Sequence, residues 1–389
     1  MKILIISGYP LSDRVSGSLI HARDLAHHLS EINGMEVHVI APGKKDERLS
    51  SGSVILHILN HNWFNNPFLI PFTLRTVKRI IDEIGPDVVH AMRGYPYCTL
   101  AVLLKRKRPV VMSVFSLSQS ELRFDKNPVW ILLRLLLFMP NERYSIPRIP
   151  HIIVQSRLME SLVRRQTRSE IHIVPEGIEL EKLQQYQTQD KLSDYPDIFV
   201  AVSFRKLKGM DILIRAVSMV KESVPDIRVY IGGSGEEENN LRSLVAELDV
   251  EDQVKFLGFI ADEKEKYRYY SACKIVVVPS RWDNEPFAAL DGAAMGRPVI
   301  ASNTCNASVV VNGETGYIFE NENVEELAEC IVKLLKDDNL RSRMGEAIRE
   351  KVKEYDWPMI AGKTVQIYRK ALVDFSSRDN QNIRNVNNG

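Results

Sequence analysis

The sequence predicts an α/β protein of two doubly wound, parallel-sheet domains facing a cleft. Short β-branched apolar runs alternate with helical patterns along most of the chain, as strands of a parallel sheet alternate with the helices that cover them. The alternation stops once, at the polar and aperiodic stretch QQYQTQDKLSDYPD (184–197), and then restarts. A chain of 389 residues also exceeds one ordinary core, so two domains are its natural division.

The start, MKILIISGYP, forms a first strand at 2–7; its apolar run is too short for a secretory leader. Strands follow at 36–41, 53–58, 87–91, 109–115, 150–155 and 171–174. Helical patterns lie between most of them, at 17–31, 71–84, 96–106, 128–138 and 156–165. After the linker, strands are expected at 198–203, 227–232, 254–258, 274–279, 298–302 and 315–319. Helices are expected near 209–222, 236–248, 262–272 and 322–355. This gives an N-terminal domain at 1–185 and a second domain at 186–356. A closing helix, 357–375, packs back on the first domain, and the tail 376–389 is too polar to fold alone.

With 44% hydrophobic and 26% charged residues, the composition is that of a soluble globular protein. The cysteines, Cys98, Cys273, Cys305 and Cys330, are scattered without a CxxC pair, as buried thiols of a reducing, cytoplasmic compartment are. No uncharged apolar run approaches the ~18 residues that cross a bilayer. The net charge of +1 conceals an asymmetry: 24 Lys+Arg against 17 Asp+Glu in residues 1–185, and 27 against 33 afterwards. The basic half also contains VWILLRLLLFM (129–139), interrupted by Arg134. Two readings stay open for it: peripheral docking on an anionic surface, the inner face of a membrane, or a buried helix ringed by solvated cations. Nucleic acid is not an expected partner, because the cations are not interleaved with aromatics and no binding motif occurs.

The most informative stretch is KIVVVPSRWDNEPFAALDGAAMGRPVIAS (274–302), a strand, loop, short helix and second strand. In doubly wound sheets ligands sit beyond the carboxyl ends of strands, and a helix N-terminus favours an anion, so a phosphate-bearing ligand is expected. A carboxylate beside a phosphate would repel it; Glu285 therefore suits neutral hydroxyls, such as those of a sugar. In FVAVSFRKLKGMDILIRA (199–216), Arg205 and Lys208 precede Gly209 at a strand-to-helix turn, where two cations can clamp a diphosphate. A solvated basic turn is the commoner fate of such a sequence. In VYIGGSGEEENNLRSLVAEL (229–248), the loop of Gly232, Gly233, Ser234 and Gly235 suits phosphate or base binding. No GxGxxG follows a predicted strand, which counts against a dinucleotide-dependent oxidoreductase.

In this order, FRKLKG, YIGGSGEE, VKFLGFI, KIVVVPSRW, NEPF, GAAMGRPVIAS and NGETGYIF resemble the family-4 retaining glycosyltransferases of the GT-B fold (glycosyl transferases group 1), two Rossmann-like domains. PDVVHA (86–91) and IHIVPEGIE (171–179) are similar to that family's segments in the first half, and the resemblance spans about 2–372. It implies transfer of a sugar from a nucleotide-diphosphate sugar, such as a UDP- or GDP-hexose, to a glycan or lipid-linked acceptor with retention. It implies no cofactor and no metal, in keeping with the absence of Asp-x-Asp from the sequence. Arg205 and Lys208 would bind the diphosphate and stabilise charge on the leaving group, and Glu285 would hold hydroxyls of the transferred sugar. Asp291 would take the ribose diol, with Gly17, Gly233, Ser234, Pro286 and Phe287 completing the donor site.

The departures from the family pattern are specific. Five residues separate Glu285 from Asp291 where the family has seven between two glutamates, so two are missing near the helix start. Glu285 is accordingly placed in the loop. Ala288 replaces a glycine, and the family's Gly-Gly-x-x-Glu loop reads Thr304-Cys305-Asn306-Ala307-Ser308. His90-Ala91-Met92 loses the second histidine of a His-x-His pattern, and Phe115 stands at another histidine position. A lone His90 ending a strand is more often a satisfied core residue than a catalyst. Asp13 and Arg14, in the first loop, are candidate acceptor contacts. Two other classes stay open: a catalytically silent glycosyltransferase-like binding subunit and a nucleotide-sugar epimerase of the same architecture.

Overall fold

The computed structural model describes residues 1–7, 17–60, 70–92, 97–105, 107–122, 127–186 and 195–387. The chain divides into two compact units, Met1–Gly177 with Trp357–Gly389, and Ile178–Asp356.

The first unit is built on β1 (Lys2–Ile6), β2 (Glu36–Gly43), β3 (Glu47–Ser51), β4 (Val54–Asn60), β5 (Val88–Met92), β6 (Val110–Val114), β7 (His151–Val154) and β8 (Glu170–Ile173). They form one sheet in the order β3-β4-β2-β1-β5-β6-β7-β8, parallel except for β3 against β4. Ile3 to Ile6 and every residue of β5 and β6 are buried, the mark of strands covered on both faces. Leu25 and Leu29 of the helix Gly17–Glu31 pack on this sheet, as do Trp357, Ile360 and Tyr368 of the helix Trp357–Asn387. Gly177 lies against the Trp357 ring so closely that a Cβ would stand 2.4 Å from it. Where the sequence predicts an unstructured tail from 376, the backbone stays helical to Asn387, extending a helix already nucleated by its buried first turns. The sequence reading also missed β3, a polar edge strand joined to β4 by a two-residue turn with Gly52 at φ +58°.

The apolar stretch near 129–139 is an α-helix over Pro128–Leu133 that loosens into a π-helix over Arg134–Phe138 and resumes as α over Met139–Ser145. The reading of a buried helix is corrected: no residue from Pro128 to Phe138 is buried, and Val129 and Leu136 are 62% and 64% exposed. Its apolar side chains run around the helix, too many for one packed stripe to cover. Among the described residues no helix is long and apolar enough to cross a membrane.

The second unit carries β9 (Ile198–Ala201), β10 (Val229–Gly232), β11 (Val254–Gly258), β12 (Val276–Val278), β13 (Asp283–Asn284), β14 (Val299–Ser302), β15 (Cys305–Asn306) and β16 (Gly316–Phe319). The ladders β11-β10-β9 and β12-β14-β16 are linked by a parallel bridge between Ile198 and Ile275. The resulting order, β11-β10-β9-β12-β14-β16, reverses direction between β9 and β12. The helical pattern predicted over 322–355 breaks at Asp337, whose carboxylate caps the second helix by accepting from the Leu340 N–H (2.8 Å). Cys98, Cys273 and Cys305 are buried free thiols, and Cys330 is half-buried.

Candidate functional site

In a doubly wound sheet the point where strand order reverses leaves a crevice beyond the strand ends, because the flanking connections leave in opposite directions. In the second unit that point lies between β9 and β12, and the loops that follow these two strands meet there. Gly209, at φ +66°, lies so close to the carbonyl of Pro279 that a Cβ would stand 1.9 Å from its oxygen. The Arg281 N–H donates to the Leu207 carbonyl (2.8 Å). The Arg281 guanidinium forks onto Asp211 (2.7 and 2.8 Å) and also meets Glu322. Burial opposes its charge, but these carboxylates outweigh burial and raise its pKa. A glycine and a half-buried bidentate pair thus lock the two loops together.

Arg205 and Lys208 sit on this locked turn. The Arg205 side chain is exposed, and among the described residues its guanidinium has no partner. Lys208 is half-buried and pairs with Asp283 Oδ2 at 2.5 Å. The glycine loop after β10 folds onto the same turn. The Phe204 N–H donates to the Ser234 carbonyl (2.9 Å), and the Glu237 N–H donates to the Phe204 carbonyl (3.0 Å). Gly233 has φ +137°, and a Cβ there would come within 1.8 Å of the Val202 carbonyl oxygen, so glycine is needed for this approach. Ser234 is exposed.

Glu285 lies in the loop, as expected, but in an unusual state. Its φ of +61° is left-handed, which costs a non-glycine residue energy and is found where the surroundings over-determine the backbone. Here the surroundings are the two-residue parallel pair β13–β15 and the bond from the Glu285 N–H to the Asn306 carbonyl (3.2 Å). The carboxylate is buried and accepts from the Ser308 N–H (3.0 Å) and the Ser308 hydroxyl. Ser308 Oγ in turn lies 2.7 Å from the Tyr355 hydroxyl. Burial, followed by the Glu285 charge, raises the Tyr355 pKa. Pro286 caps the helix Phe287–Ala294 that follows.

Lys208, Asp283 and Glu285 converge. All three act electrostatically on the Cys305 thiol, whose pKa is raised foremost by burial and then by Asp283, with Lys208 opposing and Glu285 adding. Asp291 has different partners: it is buried, accepts from the Tyr267 hydroxyl (2.7 Å) and pairs with Lys266 (3.1 Å). Burial, then Asp291, pushes the Tyr267 pKa well up. Sequence reasoning missed Asp283, Ser308 and Tyr267 as partners of the site. The position of Asp283 two residues before Glu285 in WDNEPF was the one signal available.

In the first unit, His90 is sealed. Its Nδ1 pairs with the Tyr368 hydroxyl (2.7 Å), its Nε2 with Ser113 Oγ (2.8 Å), and burial pushes its pKa down to about 3. Phe115 packs edge-on against His21, which pairs with Glu176. Gly17 opens the helix Gly17–Glu31; Asp13 and Arg14 lie outside the described residues.

Two family models match the chain: Glycosyltransferase Family 4 over residues 15–182 and Glycosyl transferases group 1 over residues 182–351. A phosphatidyl-myo-inositol mannosyltransferase of Mycobacterium leprae is 26% identical over 380 residues, covering 95% of this chain and 96% of its own length. A D-inositol 3-phosphate glycosyltransferase of Corynebacterium aurimucosum is 31% identical over 175 residues, covering 43% of this chain and 41% of that protein. The fold is similar to that of sucrose-phosphate synthase from Thermosynechococcus elongatus, with a TM-score of 0.79 at 22% identity over 96% of this chain and 99% of that one.

Proposed function

The chain belongs to the family-4 glycosyltransferases of the GT-B fold, and on that premise we propose that it transfers a sugar from a nucleotide-diphosphate sugar, of the UDP- or GDP-hexose class, to a glycan or lipid-linked acceptor, with retention and without a metal ion. The observation that carries this reading is the β13–β15 pair beside the point where the strand order of the second unit reverses: it holds Asp283, the partner of Lys208, two residues before Glu285, whose own N–H bonds to Asn306. Arg205 and Lys208 offset the charge that grows on the departing diphosphate. Ser308 fixes the Glu285 carboxylate, which accepts hydrogen bonds from hydroxyls of the transferred sugar. Asp291 takes the ribose diol, and Gly233, Ser234, Pro286 and Phe287 line the donor. In a front-side transfer the leaving phosphate accepts the proton of the acceptor hydroxyl, so a histidine as sealed as His90 is no obstacle.

The exposed apolar helix, Val129 to Leu136, carries Arg134 and is followed by Arg143 and Arg148, and it suits an anionic membrane surface. A relative that acts on phosphatidyl-myo-inositol fits an acceptor held at such a surface.

One experiment tests the whole reading. Nucleotides and sugar nucleotides are screened for thermal stabilisation, and the stabilising donor is offered with acceptor lipids in anionic vesicles. Diphosphate sugars should stabilise the chain, the product should keep the donor's anomeric configuration, and Glu285→Ala should lower transfer by roughly two to three orders of magnitude. Transfer by Glu285→Ala at the wild-type rate would remove the site from the argument. Failure to sediment with vesicles at low salt would remove only the membrane contact.

A further inference from the structure

At the amino ends of β7 and β8 the first unit gathers a cluster that the donor site does not use. His151 on β7 pairs in register with Glu170 on β8, and His172 follows Glu170 by two residues, so all three side chains share one face of the sheet. His151 Nδ1 lies 3.3 Å from His172 Nε2. Glu170 Oε2 lies 3.9 Å from His151 Nδ1, and its Oε1 lies 3.8 Å from His172 Nε2. The helix Trp357–Asn387 brings Asp374 Oδ2 to 3.2 Å from His151 Nε2, and Lys370 donates to Glu170 Oε1 (2.6 Å).

We propose that His151, His172 and Glu170 bind a zinc-class divalent ion that clasps the edge of this sheet to the final helix. Zinc–nitrogen bonds of about 2.0–2.1 Å at a tetrahedral angle put two ligand nitrogens about 3.3–3.4 Å apart. The two imidazoles already stand at that separation, and the carboxylate needs a shift of about half an ångström. Metal-bound histidines hand their other ring N–H to a carboxylate, which fixes the tautomer. Asp374 occupies that position toward His151, leaving Nδ1 with its lone pair toward the cluster. Lys370 orients the Glu170 carboxylate through Oε1, the oxygen that faces His172, while Oε2 faces His151. Two imidazoles and one carboxylate suit zinc and its neighbours better than magnesium or calcium, which take oxygen-rich shells. A pocket of about 470 Å³, whose lining includes His151, Glu170, Asp374, Arg148 and Lys105, gives the ion a path from solvent. The proton shared by the two ring nitrogens moves to His172 Nδ1 or to water when the ion enters.

The same unit contains its own control. His38 Nδ1 and His57 Nε2 face each other at 3.0 Å on β2 and β4, but there the neighbouring carboxylate, Glu36, sits on the far nitrogen of His38 (2.8 Å). Among the described residues only the β7–β8 group brings three such ligands together.

The untagged full-length chain, stripped with a chelator, is titrated with Zn²⁺ by calorimetry near neutral pH, and with Co²⁺ by visible absorption. One ion per chain is expected, with tetrahedral cobalt bands and a zinc-dependent rise in melting temperature. His172→Gln should weaken binding at least about tenfold, and Asp374→Asn about tenfold through the lost tautomer support. His57→Gln should bind as wild type does. Circular dichroism confirms that each variant is folded. No stoichiometric zinc binding overturns the proposal, as does equal affinity in His172→Gln and wild type, or a loss in His57→Gln as large as in His172→Gln.

Discussion

In the first unit a central parallel strand, β5, carries a histidine that the fold has sealed; in the second, β9 runs into a basic turn that the fold has left open. The six parallel strands of the second sheet follow the same order as β4-β2-β1-β5-β6-β7 of the first, with connections leaving in opposite directions from the first and fourth parallel strands of each sheet. His90 has Tyr368 on one nitrogen and Ser113 on the other, and is fully buried. Arg205 is exposed, and Lys208 keeps 21% of its side chain in solvent while paired to Asp283. Topology therefore fixes where a ligand can sit, and loop chemistry decides which ligand. His90, in the middle of β5, serves packing in the first unit, whereas the turn of the second leaves Arg205 exposed, as the proposed diphosphate contact requires.

The sharpest way to break this comparison is to disturb the turn itself. Gly209→Ala puts a Cβ 1.9 Å from the Pro279 oxygen and forces a side chain into φ +66°. Left-handed backbone alone costs about 1–2 kcal/mol, and the collision with fixed backbone should bring the loss to about 3 kcal/mol or more. Gly34 in the first unit has a similar φ of +78° with nothing within 4 Å of a Cβ, so Gly34→Ala should cost only about 1 kcal/mol. Urea unfolding measures both. Equal losses would mean that the loops after β9 and β12 are not locked together.

Acid should next separate the two units, because all nine histidines lie in residues 1–172, within the first. Burial lowers the pKa of His90 to about 3, and burial, then His38, lowers that of His57 to about 4. Both rings are neutral when folded and take up protons more readily when unfolded. Their contribution is complete above the unfolded pKa of about 6.5 and is lost as pH falls from there toward the folded values. Between pH 6.5 and pH 5 the loss from His90 should be on the order of 2 kcal/mol. His90→Gln should flatten that slope while leaving transfer unchanged. Hydrogen exchange followed across this window should show the first unit opening before the second; simultaneous opening would refute the assignment.

Much of this was legible in the sequence, for identifiable reasons. The β-branched runs gave the strands, since strands buried on both faces are continuously apolar, and the turn carrying Arg205 and Lys208 followed from its position between a strand and a helix. What periodicity cannot carry is pairing at a distance. Lys208 meets Asp283 across 75 residues, and Glu285 meets Ser308 across 23, because two-residue strands set the register. The break at Asp337 was hidden because the apolar periodicity runs through it, and only the cap marks the new helix. The stretch 128–138 misled in one of its two readings because apolar content alone does not say whether a helix is covered.

The finest test concerns the ion pair that the sequence could not show. Lys208→Ala and Arg205→Ala should each weaken binding of a nucleoside diphosphate about tenfold, far more than Asp13→Ala, as removal of a charge-assisted contact does. Asp283→Asn should act in the opposite direction. Asp283 holds the Lys208 ammonium at 2.5 Å, and its own charge opposes an incoming diphosphate, so neutralising it frees the lysine and removes a repulsion at once. Against these gains stands any loss of aim in a freed lysine, which the half-buried stem limits. Tighter binding by about threefold is expected, near 0.6 kcal/mol, and calorimetry resolves it. Weaker binding would show that Asp283 aims the lysine rather than competing for it, and the turn of the second unit would then be preorganised by its acid as tightly as His90 is by Tyr368 and Ser113 in the first.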